Sequence, residues 1–115
     1  MSAPTSNQNG TTSALVVGTE TTIGSTISSA GTYQLNLNVS NLVGGGTPDI
    51  LEIRVYSKVL SGDTKALKDI WTLVGTQVVP ILYTPVYPET NYLEFTLKQT
   101  QGTGRTFKYN VVQLA

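Results

Sequence analysis

Between Thr32 and Val39 the side chains alternate without a break: Tyr33, Leu35, Leu37 and Val39 fall on one face, Gln34, Asn36 and Asn38 on the other. The same period of two recurs in "ILEIRVYSKVL" (Ile50–Leu60). There Leu51, Ile53, Val55 and Val59 share a face opposite Glu52, Arg54, Tyr56 and Lys58. It recurs again in "NYLEFTLKQ" (Asn91–Gln99), with Leu93, Phe95 and Leu97 inward and Glu94, Thr96 and Lys98 outward. A period of two is the signature of a half-buried strand. It constrains the fold more than any other feature of the chain, because each such strand needs an apolar layer to lie on.

The remaining segments read as shorter or less regular strands. Ala14–Val17 is an apolar run closed by Gly18. "ETTIGSTI" follows, with Gly24 as a possible bulge. "ALKDIWTLVG" carries both helical and strand spacing. A strand over Ile70–Val74 is the better fit, with a helical turn at Lys65–Asp69 left open. In "QVVPILY" Pro80 confines the segment to an edge or a bulge, and "TPVYPET" with its two prolines reads as a loop. "RTFKYNVVQL" puts Phe107, Tyr109 and Val111 on one face, and the stretch from Leu93 to Val112 reads as a hairpin turning over "TQGTG". The total is about eight strands, and no helix is long enough to cross over between parallel neighbours. The predicted fold is all-β: a single-domain antiparallel β-sandwich, with a jelly roll as the candidate topology.

The 115 residues suffice for one domain with its own core. Seven basic residues balance seven acidic ones, and only 12% of residues are charged. Such a chain lacks the cationic surplus that captures nucleic acid or an anionic membrane. No segment is apolar for long enough to cross a bilayer as a helix, and the N-terminal residues lack the features of a secretory signal. Cys and His are both absent. The commonest thiolate and imidazole metal ligands and the commonest general base are therefore missing. Asp49, Asp63 and Asp69 match no calcium-loop spacing, "GTGR" is not a phosphate cradle, and no Ser or Thr has a partner base. The expectation is a protein that is not an enzyme and holds no cofactor.

Residues 1–12 are rich in Ser, Thr, Asn and Gly, with nothing to enter a core, and read as a flexible N-terminal arm ahead of a sandwich domain over 13–115. Loss of such an arm is expected to leave stability unchanged. The arm and the glycine loop before Asp49 are the segments able to adapt to a partner surface. The candidate contact residues are Ser2, Pro4, Asn7, Asn9 and Thr11 in the arm, and Gly45, Thr47 and Asp49 in the loop. Tyr83, Tyr87 and Tyr92 cluster about the proline-rich loop and form an alternative aromatic platform for a carbohydrate or a receptor.

Taken together, "LVVGTETTI", "SAGTYQLNLNVSNL", "DILEIRVYSKVLSG" and "TLKQTQGTGRTFKYNV" resemble the small β-rich virion proteins of tailed bacteriophages. The resemblance is one of general pattern from Leu15 onward. It implies a head decoration, or cement, protein made in the host cytoplasm. Such a protein sits on the outer capsid surface, binds the lattice of the major capsid protein and is commonly a homotrimer. A carbohydrate- or receptor-binding module of the tail, or another tail or neck component, is the alternative.

Overall fold

The computed structural model of the chain describes Thr5–Leu114. It is built from nine strands in two antiparallel sheets, and no helix occurs among the described residues. In chain order the strands are β1 (Thr5–Thr11), β2 (Glu20–Thr22), β3 (Gly31–Asn38), β4 (Ile50–Ser57), β5 (Ala66–Val74), β6 (Ile81–Tyr83), β7 (Tyr87–Glu89), β8 (Leu93–Gln101) and β9 (Lys108–Gln113). One sheet runs β1-β9-β3-β6, with β7 also paired to β3; the other runs β2-β8-β4-β5.

β6 and β7 pair with successive parts of β3, so they form one edge strand interrupted at Thr84–Val86. Pro85 cannot donate to a ladder, and Pro88 is tolerated because the strand is at an edge. Thr84 carries the pairing across the gap: its N–H donates to the Leu35 carbonyl, and its Oγ1 accepts the Leu35 N–H. Counted this way there are eight strands, and their connectivity is that of a jelly roll. Every connection passes from one sheet to the other except β4–β5 and the β6–β7 interruption.

This connectivity corrects the predicted hairpin. β8 lies in the four-stranded sheet, and β9 lies in the other, between β1 and β3. Alternation dictates that both segments are strands, but a partner is chosen by which core each inward face reaches. Phe107, at the end of the β8–β9 connection, and Val111 enter the core from the sheet opposite Leu93, Phe95 and Leu97.

The inward faces predicted for the main strands are the observed ones: Tyr33, Leu35, Leu37, Leu51, Ile53, Val55, Leu93, Phe95 and Leu97 are all buried. Burying a side chain of this size contributes about 1.5–3 kcal/mol. The shorter segments differ from expectation. Ala14–Val17 is not a strand; only its Leu15 enters the core, while Val16 and Val17 are exposed. Val59 lies beyond the end of β4 and is exposed. β5 is strand from Ala66, so no helical turn forms at 65–69.

The arm is also corrected. Thr5–Thr11 pairs antiparallel with β9 from Gln113 to Lys108, with one register shift between Ser6 and Gln8. A polar segment with no core residue still forms a strand here, because β9 offers a row of backbone partners. Ser2 and Pro4 lie outside the described residues. Asn7, Asn9 and Thr11 are exposed on this edge strand.

Candidate functional site

The jelly roll gathers the connections β1–β2, β3–β4, β5–β6 and β8–β9 at one end of the sandwich. Direct hydrogen bonds tie them together. The Leu15 N–H donates to the Arg105 carbonyl, the Gly75 N–H to the Asp49 carbonyl, the Gly44 N–H to Thr76 Oγ1, and the Asn41 amide to the Thr106 carbonyl.

Two buried polar side chains organise this end. Asp49 is 2% exposed. Its carboxylate accepts the Val43 N–H at 2.9 Å, the Thr103 N–H at 3.1 Å and Arg105 Nε at 2.8 Å. Burial alone would raise its pKa, but the Val43 amide, the Arg105 guanidinium and the Thr103 amide together hold it below the ordinary value of 3.8. Gln99 is fully buried; its amide donates to the Thr103 carbonyl at 2.6 Å and accepts the Arg105 N–H at 3.1 Å. These side chains give partners to the Val43, Thr103 and Arg105 amides and the Thr103 carbonyl where the chain crosses between sheets. Gly102, at φ +96°, approaches Asp49 so closely that a Cβ there would lie 2.9 Å from the Asp49 Cα. A Cβ on Gly104 would collide with the Leu15 carbonyl.

On this scaffold the loop tips turn apolar side chains outward. Val16, Val17, Val43, Val78 and Val79 are exposed, Val78 to 99%. The only charged residues in the four connections are Asp49 and Arg105, which neutralise each other. The result is an end without net charge that carries five exposed valines among polar loop residues, on a braced base. Exposed apolar side chains gathered at one end of a fold are material for an association site.

Gly45 and Thr47 belong to this end, and Gly45 has φ +115°, a conformation in which a side chain is strained. Asp49 does not present its side chain to a partner; it is the internal brace. The arm residues Asn7 and Asn9 lie along the β1 edge, and Thr11 ends β1 where the chain enters the β1–β2 connection. The exposure of the valine pairs 16–17 and 78–79 is not legible in the sequence, because an apolar pair reads as buried strand when its surroundings are unknown.

The proposed aromatic platform does not assemble. Tyr87 is 5% exposed, packs against Phe95 at 6.2 Å between ring centroids and donates its hydroxyl to Asp69 at 2.9 Å. Burial, then the Asp69 carboxylate, raise its pKa well above the usual phenol value. Tyr92 donates to Glu94 and is covered by the Lys58 ammonium, 4.7 Å from the ring centroid. Only Tyr83 presents its ring, on the outer face of the β1-β9-β3-β6 sheet, in one cross-strand row with Asn36, Asn110 and Asn9.

The outer face of the other sheet carries a network of charged side chains. Glu20 accepts from Arg54, Tyr56 and Thr96; Glu52 accepts from Arg54 at 2.6 Å. Glu94, although outward-facing, is buried beneath Lys65, Tyr92 and Thr22, all of which donate to it. Burial would raise the pKa of Glu20 and Glu94, but the hydroxyl donors and cations around each bring it below 4.5. Both are thus held as anions, the opposite of a carboxylic acid tuned to give up a proton near neutrality. All seven acidic side chains of the chain accept a hydrogen bond from within the fold, Asp63 from the Leu60 N–H and Glu89 from Lys68. No cluster of acidic side chains with metal-binding geometry occurs among the described residues. No protein family, curated protein or solved structure matches the chain.

Proposed function

We propose that this chain is a structural protein of a virus particle, a decoration protein that docks on the outer surface of a tailed-phage head and stabilises the shell. The observation that carries the reading is the loop end: a neutral surface of exposed valines on a base braced by Asp49, Gln99 and Arg105. It suits a pre-organised contact with a protein lattice better than turnover, since the acidic groups are engaged in holding the fold together. Binding only to the assembled lattice of the major capsid protein stabilises that lattice by mass action. Self-association multiplies weak contacts through effective concentration.

The test is co-sedimentation of the purified chain with phage heads that lack it. The parent chain is expected to pellet with the heads. The double variant Val78→Asp, Val79→Asp is expected to stay in the supernatant with an unchanged melting curve. Undiminished binding of that variant overturns the loop end as the contact, and electron microscopy that places the chain on the tail overturns the head assignment.

A second reading rests on Tyr83. Its exposed ring beside a row of carboxamides has the makings of a neutral sugar site on a tail module. Glycan-array binding that disappears with Tyr83→Ala favours it over decoration.

A further inference from the structure

β5 is an edge strand of nine residues, and no strand among the described residues pairs with its outer side. Long free edges are normally blunted by charge, proline or a bulge. β1 is polar and carries a register shift, β2 is three residues long, and β6–β7 is interrupted by proline. The first part of β5 is protected in the same way. It has a bulge opposite Val55 and Tyr56, and two contacts clasp it to β7: Lys68 to Glu89 at 2.7 Å, and Asp69 to the Tyr87 hydroxyl. From Ile70 to Val74 the protection stops. This run is uncharged, regular and free of proline, and it ends at Gly75 with φ +67°.

The run Ile70-Trp71-Thr72-Leu73-Val74 is a palindrome in physical character about Thr72. Ile70, Thr72 and Val74 lie on the outer face, opposite Arg54, Glu52 and Ile50; Trp71 and Leu73 lie on the inner face, opposite Ile53 and Leu51. Ile70 and Val74 are 43% and 55% exposed, and Trp71 and Leu73 are only partly covered by the core. We infer that β5 pairs antiparallel with β5 of a second copy of this chain, about a two-fold axis at Thr72.

In that register Ile70 meets Val74 of the other copy on one face, and Trp71 meets Leu73 on the other. Directly opposed side chains in antiparallel strands stand about 4.5–5.5 Å apart, close enough to pack. Moving the axis to Trp71 would set Leu73 against Asp69, and moving it to Leu73 would set Trp71 against Gly75 and Ile70 against Thr76, so the hydrophobic pattern favours the register about Thr72. A two-fold contact is isologous and closes at the dimer. The four-stranded sheets of the two copies then form one sheet, and the two loop ends face in opposite directions. This goes beyond the decoration role and stands without it.

Light scattering on the isolated full chain across a concentration series tests the pairing with no capsid present. A dimer is expected. Thr72 is exposed in the single chain, so Thr72→Lys is expected to preserve the circular-dichroism spectrum and melting curve of the monomer. It is also expected to raise the dimer dissociation constant roughly tenfold or more, because it sets two cations face to face. The chain has no cysteine, so Thr72→Cys gives a single thiol at the axis, which a short bis-maleimide is expected to link far faster than the thiol of Val78→Cys at the 99% exposed position 78. A monomer throughout the series, a trimer, a Thr72→Lys chain that still dimerises, or equal linking at both positions overturns the inference.

Discussion

Asp49 shows how much one side chain holds at the loop end. It bonds within its own β3–β4 connection and across to the β8–β9 connection, and its partner Arg105 is about one-third exposed, with a side-chain exposure of 31%. Asp49→Ala leaves two backbone amides and a guanidinium without their acceptor. The expected loss is about 2–4 kcal/mol, below the cost of breaking a fully buried pair because water reaches the guanidinium. Urea denaturation measures it. Gly102→Ala meets the same carboxylate and adds a strained positive φ, so a loss of roughly 2–4 kcal/mol is expected. Gly46→Ala, with open space around it, is expected to change stability by no more than about 0.5 kcal/mol. Neither Asp49 nor Gln99 was legible as a brace. Asp after Pro reads as a turn residue, and Gln99 continues the inward phase of β8 with a polar side chain. Only the crossing of the chain between sheets creates the amides that these side chains satisfy.

At the scale of elements, β3 and β4 are the strands whose alternation matches their burial residue by residue, whereas in β8 the inward residues are buried as expected and the outward Glu94 and Thr96 are covered as well. Leu35→Ala is expected to cost about 2–5 kcal/mol, because Leu35 is fully buried between the sheets and the cavity cannot collapse without moving both. β1 behaves differently. Its stability comes from pairing with β9, so deletion of residues 1–10 uncovers that strand. The melting temperature is expected to fall by roughly 5 °C or more, contrary to the behaviour of a free arm, and differential scanning calorimetry decides the matter. β1 was not legible because its sequence has neither β-branched residues in alternation nor an apolar face. It is strand because a neighbour is there to bond.

For the whole molecule, the depressed carboxylates make stability depend on pH. Asp49, Glu20 and Glu94 all have folded pKa values below their ordinary ones, 3.8 for the aspartate and 4.5 for the glutamates. The unfolded chain therefore takes up protons first as pH falls. The stabilisation is complete above about pH 5 and is lost as pH drops through the folded values. The urea midpoint is expected to be flat between pH 5 and 8 and to fall steeply below pH 4. A midpoint that holds at pH 3 would show that these carboxylates are not what braces the fold. Lys65 has the opposite sign. Hydrogen bonding to Glu94 outweighs the burial that opposes it and raises its pKa above 10.5. Its contribution is present at neutral pH and is lost only as alkaline pH passes the folded value.

The sequence by itself determined that the chain is all-β, that the sheets are antiparallel, and which residues of the three long strands form the core. Those are local facts: a period of two places alternate side chains on opposite faces wherever the strand lies. Tertiary structure alone decided which strand pairs with which, that "TQGTG" is a crossing between sheets rather than a hairpin, and that Tyr87 and Glu94 are covered. It also decided that the valines of the loops face outward, and that Ile70–Val74 runs along an open edge. Pairing, cover and edge depend on residues distant in the chain arriving at one place, and periodicity carries no information about arrival.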